Sequence, residues 1–119
     1  MKKYSKTLGY EVYNADQFRE ITEQPEDPSV KDHVSSTPQP FQKEIVDYLK
    51  RKGTLYLVGM GRAIDVFTGK LFSHTFLAYT DGTYSWDDRL TYYVEHYNLR
   101  PSDGFAEYVI EKLGLNETE

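Results

Sequence analysis

The sequence predicts an α+β domain: a small antiparallel sheet of three to four strands, with helices packed mainly on one face. Three observations predict it. Apolar residues recur at helical spacing in segments near residues 41–49, 90–97 and 105–113. Between the first two, strand-like runs are separated by Gly-containing turns too short for crossovers, so neighbouring strands must be antiparallel. A chain of 119 residues, 39% of them hydrophobic, is long enough to bury one core without staples.

The N-terminal segment is mixed in character. Tyr10 and Val12 alternate with polar or small neighbours, which predicts a short strand over Leu8–Tyr13. Asn14 is a suitable N-cap for a brief helix over Ala15–Ile21, with Phe18 and Ile21 on one side. Residues 22–39 hold Pro25, Pro28 and Pro38 and only two aliphatic residues, Val30 and Val34, the texture of a loop or linker. Residues 1–39 are therefore expected as a strand/helix appendage with a Pro-rich linker, and residues 40–119 as the core domain.

Pro40 suits a first helical turn, and Phe41, Ile45, Tyr48 and Leu49 supply the buried stripe of the helix that follows. Lys50, Arg51 and Lys52 gather at its C-terminal end, where the helix dipole favours cations, and Gly53 reads as a left-handed cap. Thr54–Met60 is almost continuously apolar, the pattern of a strand covered on both faces. Gly59 and Gly61 mark a turn or bulge, after which Arg62–Phe67 and Leu71–Tyr79 form two further strands around Thr68-Gly69. Asp81-Gly82 predicts a two-residue hairpin loop with positive φ at both positions, setting Tyr79 opposite Tyr84 and Leu77 opposite Trp86. Ser85–Asp88 resembles a capping box for a helix whose stripe is Leu90, Tyr93, Val94 and Tyr97, stopped by Asn98. Ser102 caps the last helix, with Phe105, Tyr108, Val109 and Leu113 inward and Gly114 at its end; Leu115–Glu119 is expected to fray.

Composition removes several function classes. There is no cysteine, so disulfides, thiolate metal sites and cysteine nucleophiles are excluded, and a reducing, cytoplasmic setting is expected. No apolar run reaches the ~20 residues of a membrane helix, and the basic start Lys2-Lys3 precedes no apolar segment, so neither a membrane nor a secretory route is expected. The Asn116-Glu117-Thr118 sequon is accordingly read as chance. A net charge of −5 argues against nucleic acid and favours a basic protein partner. His33, His74 and His96 stand singly, without metal-ligand spacing, and Gly59-Met60-Gly61 lacks the third glycine of a dinucleotide loop, so no metal or cofactor is expected.

Two constellations remain. Asp65 sits in a strand-like segment, where aspartate is disfavoured, within a few rungs of His74; a carboxylate beside an imidazole is the pairing used in general acid–base catalysis. The second is the outward face of the helix near residues 88–97. Asp88, Tyr92, Glu95 and His96 turn away from its apolar stripe, and Asp81 and Asp87 lie in the adjoining turns. Carboxylates among tyrosines suit a basic protein surface, since tyrosine buries a large body at small entropic cost while charge steers encounter.

The run Tyr79-Thr80-Asp81-Gly82-Thr83-Tyr84-Ser85-Trp86, with Leu90, Tyr92-Tyr93-Val94, Tyr97-Asn98-Leu99 and Phe105 after it, resembles a group of small bacterial proteins. Some of these are encoded beside secreted toxins as immunity proteins. Tyr48-Leu49 and Asp65-Val66 fit the same pattern, and the resemblance covers roughly residues 45–110. It implies a small bacterial cytosolic protein of immunity type and carries over no catalytic residue. The expected function is a non-enzymatic protein-binding domain that masks a basic toxin through Asp81, Asp87, Asp88, Tyr92, Glu95 and His96. The alternatives are a small hydrolase or ligand-binding domain using Asp65 and His74, and a module that homodimerises through an uncovered edge strand or exposed tyrosines.

Overall fold

The fold is that of a computed structural model, which describes residues 2–115. It is α+β. Strand β1 (Lys3–Ser5) pairs antiparallel with β2 (Tyr10–Asn14), and a one-turn helix α1 (Arg19–Thr22) follows. Helix α2 (Gln42–Arg51) leads into the long strands β3 (Thr54–Ile64) and β4 (Leu71–Thr80). The short β5 (Tyr84–Asp87) then runs directly into α3 (Asp88–Tyr97), and α4 (Asp103–Lys112) ends the described chain. The sheet order is β1-β2-β5-β4-β3.

This sheet has five strands where three or four antiparallel ones were expected, because the N-terminal strand pair joins it. β2 lies parallel to β5, with Tyr13 opposite Tyr84 and Asn14 opposite Ser85. The Tyr13 and Ala15 amides bond to the Thr83 and Ser85 carbonyls, both at 2.9 Å. A parallel pair needs a long return connection, and here residues 15–83 supply it. No local turn announces such a pair.

The N-terminal segment enters the same core. Ala15, Phe18, Ile21 and Val30 are buried in one cluster with Ile45, Leu49, Trp86, Leu90, Val94 and Phe105. The helix expected over 15–21 shortens to α1 because Asn14 Oδ1 accepts the Asp16 amide in a local turn, leaving Phe18 extended at the N-cap. Within residues 22–39 a 3-10 turn, Val30–Asp32, is capped by Ser29. Its placement comes from Glu20, whose carboxylate accepts the Val30 amide at 2.9 Å and the Ser29 hydroxyl.

Four local expectations change. Gly53 is not a left-handed cap; Lys52 closes α2 in the right-handed region, and glycine is needed because a Cβ at 53 would stand 2.6 Å from the Trp86 ring. The strands expected over 54–60 and 62–67 are one strand, β3. Gly61 continues it beneath the Phe76 ring, with which a Cβ at that position would collide. The β4–β5 loop is longer than two residues: Tyr79 faces Trp86 and Thr80 faces Ser85, and only Gly82 has positive φ. The Asp81 carboxylate explains this, since its Oδ1 accepts the Thr83 and Tyr84 amides and widens the turn. Ser85 lies in β5, and Asp87 is the N-cap of α3, accepting the Arg89 amide at 2.8 Å.

Helix α2 also starts later than expected: Pro40 lies before it and Phe41, half-buried, is its N-cap in the left-handed region at φ 57°, so neither stands in the helix. The C-terminal stops of α3 and α4 follow the sequence. Asn98 stops α3 in the left-handed conformation at φ 54°, and Leu90, Tyr93, Val94, Phe105 and Val109 face the core. Residues 116–119, with the sequon and most of the tail expected to fray, lie outside the described residues.

Candidate functional site

The tyrosines explain why two aspartates are unavailable for chemistry. Asp65 follows β3 and is only 3% exposed. Its Oδ1 accepts the Phe67 and Thr68 amides, forming the β3–β4 turn, while Oδ2 accepts the Tyr92 and Tyr97 hydroxyls at 2.6 and 2.5 Å. Asp81 repeats this arrangement in the β4–β5 turn, with Tyr48 and Tyr108 donating to its Oδ2. Burial alone would raise both carboxyls, but the tyrosine hydroxyls and backbone amides outweigh it and hold both below the usual carboxylate range. The phenols respond in the opposite sense. The hydrogen bond to Asp65 raises Tyr92 well above an ordinary phenol and raises Tyr97 to about 12. Tyr93 completes the first clasp by donating to the Ile64 carbonyl and accepting the Val66 amide. Helices α2, α3 and α4 thus grip both hairpin turns flanking β4 through tyrosine.

The acid–base pairing of Asp65 with His74 is not formed. His74 is an exposed residue of β4, and no hydrogen bond or ion pair joins it to Asp65. All four acceptor positions of Asp65 are engaged in holding a turn.

Four of the six residues expected on the acidic face do converge. Asp88, Tyr92, Glu95 and His96 of α3 line a groove of about 390 Å³, with Lys50 of α2 on its rim and Phe72, Leu77 and Tyr79 of β4 on its floor. Tyr92 is not turned to solvent, as its helical position suggested. Its ring stacks on Phe72 at 3.7 Å, and His96 lies against its other side, 4.5 Å between centroids. Glu95 pairs with Lys50 at 2.8 Å, so part of the expected negative charge is neutralised locally. Asp88 accepts the Leu77 amide, and burial, aided by repulsion from Asp87, pushes its carboxyl up to about 6. Asp81 and Asp87 stand outside the groove: the first is clasped by tyrosines, and the second caps α3 and binds Arg89 through both oxygens, at 2.8 and 3.0 Å.

The groove floor continues outward onto β3. Val58 is opposite Leu77 and Leu55 opposite Tyr79, and residues directly opposite in a sheet share a face. The expected two-sided cover of this strand is absent. β3 is an edge strand, with Leu55, Leu57, Val58 and Met60 between 47% and 82% exposed. Ile64, Phe67 and Leu71 extend the apolar surface around the hairpin. Of the expected site residues, the sequence located the groove's polar wall but missed its apolar floor. The missed signal was present: a nearly continuous apolar run identifies a strand that needs cover, without saying which molecule supplies it.

A second concavity, about 490 Å³, lies between β1, the segment after β2, and the strands β4 and β5; Asp16, Asp87 and Arg89 line it. Asp16 is 5% exposed, and its Oδ2 accepts the Asp87 amide at 2.7 Å. Burial, then repulsion from Asp87, pushes its carboxyl up to about 7. Asp16 was not singled out from sequence, because its burial depends on β2 docking beside β5. No histidine lines this cleft, so its acids lack an imidazole partner. Among the described residues no group of His, Asp and Glu has the arrangement of a metal site, and no helix is long and apolar enough to cross a membrane. No family model, curated protein or solved structure was found that matches this chain.

Proposed function

We propose that this chain is a non-enzymatic protein-binding domain whose contact surface is the outer strand β3 together with the adjoining groove of α3. The observation that carries it is the clustering of exposed apolar side chains: seven of the nine large ones among the described residues lie between Leu55 and Leu71. An apolar cluster of that kind, with Leu55, Val58 and Met60 on the groove-side face beside polar groups, marks an interaction surface. Asp88, Glu95, His96 and Lys50 form the polar wall, and Tyr92 offers a ring already fixed between Phe72 and His96. The arrangement suits binding by occlusion, because Asp65 and Asp81 hold turns. An immunity-type inhibitor of a basic toxin is the specific form of this reading, with Asp88 and Glu95 meeting the partner's cations at the rim and β3 meeting its apolar surface.

The test is affinity capture from native lysate with wild type and with a Val58→Lys/Met60→Lys variant. A partner retained by wild type and lost with the variant is expected; charge reversal at Asp88 and Glu95 should weaken that capture and its salt dependence. Equal capture of the same partner by both proteins would contradict the assignment of the surface.

A further inference from the structure

The composition of β3 conflicts with its position. Over Thr54–Gly61 it carries no formal charge, and Arg62 is the only charged residue in all eleven positions. A strand of that kind belongs in the middle of a sheet. Yet β3 ends the sheet order, so its outer backbone amides and carbonyls face away from β4 without a partner strand. Edge strands that must stay single are usually protected by lysine, proline or inward charge. Between residues 57 and 60 this strand has none of these and no β-bulge, its register irregularities lying on either side of that stretch.

We propose that a second copy of this chain completes β3, the two β3 strands pairing antiparallel about a twofold axis at Gly59. This inference rests on β3 being a contact surface; it assigns the backbone edge of the strand to a second copy and leaves its groove-side face to the proposed protein partner. The register follows from the strand itself. Residues 57–60 form the uninterrupted stretch between the first two of its three register irregularities toward β4. A twofold at Gly59 sets Val58 opposite Met60 of the partner, on the groove side, bringing together side chains that are 57% and 82% exposed. On the other side it sets Leu57 opposite Gly61, where the Phe76 ring already lies and offers an apolar neighbour. Arg62 is the strand's only charged residue and lies beyond that stretch, so no like charges meet at the centre of the pairing.

The size is adequate. Leu55, Leu57, Val58, Met60 and Ile64 expose on the order of 500 Å² per copy; with the strand backbones, pairing can remove at most roughly 1,200 Å², the lower bound of specific interfaces. Two five-stranded sheets become one continuous sheet with β3 interior to it. The contact is isologous, so the same patch serves both copies and the assembly closes at two.

Sedimentation velocity of the full chain across a micromolar concentration series tests this directly. Wild type should form a dimer. Val58→Lys and Met60→Glu should each raise the dissociation constant by about tenfold or more, since each buries an uncompensated charge at the pairing. An equimolar mixture of the two should regain the dimer, because the register sets the cation introduced in one copy opposite the carboxylate introduced in the other. That recovery also shows both variants to be folded. A wild type that stays monomeric throughout overturns the second-copy assignment, while β3-dependent capture of another protein would still uphold the surface. A wild-type dimer unaffected by either variant places the contact elsewhere and overturns the proposal. Monomeric variants whose mixture stays monomeric overturn the register.

Discussion

Strands β5 and β3 are both rich in aromatic or aliphatic residues, yet they meet opposite fates. β5 is flanked by β2 and β4, and Trp86 at its centre is 2% exposed, donating its indole N–H to the Leu49 carbonyl at 3.0 Å. β3, nearly three times as long, has one neighbour and leaves its aliphatic side chains open to solvent. Apolar content makes a strand require cover; topology decides whether the same chain provides it. At β5 the helices and the N-terminal segment provide it. At β3 the chain provides only the tyrosine clasp at its end, around Asp65.

The comparison breaks most visibly at its buried side. Trp86→Ala should lower the unfolding free energy by about 3–5 kcal/mol, because the cavity opens among Tyr48, Leu49 and Phe105 and strands the Leu49 carbonyl. Chemical denaturation monitored by circular dichroism would measure this; a loss below about 1 kcal/mol would mean that Trp86 is not central to the core.

Removing the clasp should cost less. Asp65→Ala leaves the Tyr92 and Tyr97 hydroxyls and the Phe67 and Thr68 amides without their acceptor, an expected loss of about 2–3 kcal/mol. Its pH signature is separable. The Asp65 and Asp81 carboxyls are lowered in the folded protein, so their contribution is present above the unfolded value near 4 and fades as pH falls below it. The variant should therefore lose less stability than wild type between about pH 4 and pH 2.

Asp16 has the opposite sign. Its folded value of about 7 lies above the unfolded 3.8, so the folded state holds the proton more tightly. Its contribution is complete below about pH 4 and is lost as pH rises through about 7. Asp16→Asn, which keeps an acceptor for the Asp87 amide, should stabilise the protein by on the order of 1–2 kcal/mol at pH 8 and not at pH 4. Equal effects at both pH values, read as melting temperatures, would show that folding does not raise the Asp16 carboxyl.

The smallest stability effect belongs to the open side. Met60→Lys should change the unfolding free energy of the monomer by no more than about 0.5 kcal/mol, since the side chain is 82% exposed. The same substitution should have a large effect on association. That separation is what distinguishes an interaction surface from a core strand.

Much of this was legible locally. The stripe of Leu90, Tyr93 and Val94, the stop at Asn98 and the apolar face of α2 all depend on residues within a few positions of one another, and their periodicity marked them. What escaped was long-range or depended on a single side chain. The parallel pairing of β2 with β5 joins residues some seventy positions apart. The hairpin register turned on the Asp81 carboxylate taking two amides, which moved Trp86 opposite Tyr79 instead of Leu77. The outward position of Tyr92 was read from helical spacing, yet Asp65 draws its hydroxyl inward from 27 positions away. Of the site, the polar wall of Asp88, Glu95 and His96 could be read from α3 alone, whereas the floor formed by Val58 and Leu77 required the sheet.

The most direct measurement is hydrogen–deuterium exchange of the wild-type chain at low and high protein concentration, resolved over Thr54–Ile64 and over Tyr84–Asp87. The account predicts that β3 gains about tenfold or more protection as concentration rises, as its outer amides acquire partners, while β5 stays equally protected at both. Exchange over β3 that is the same at both concentrations would contradict it.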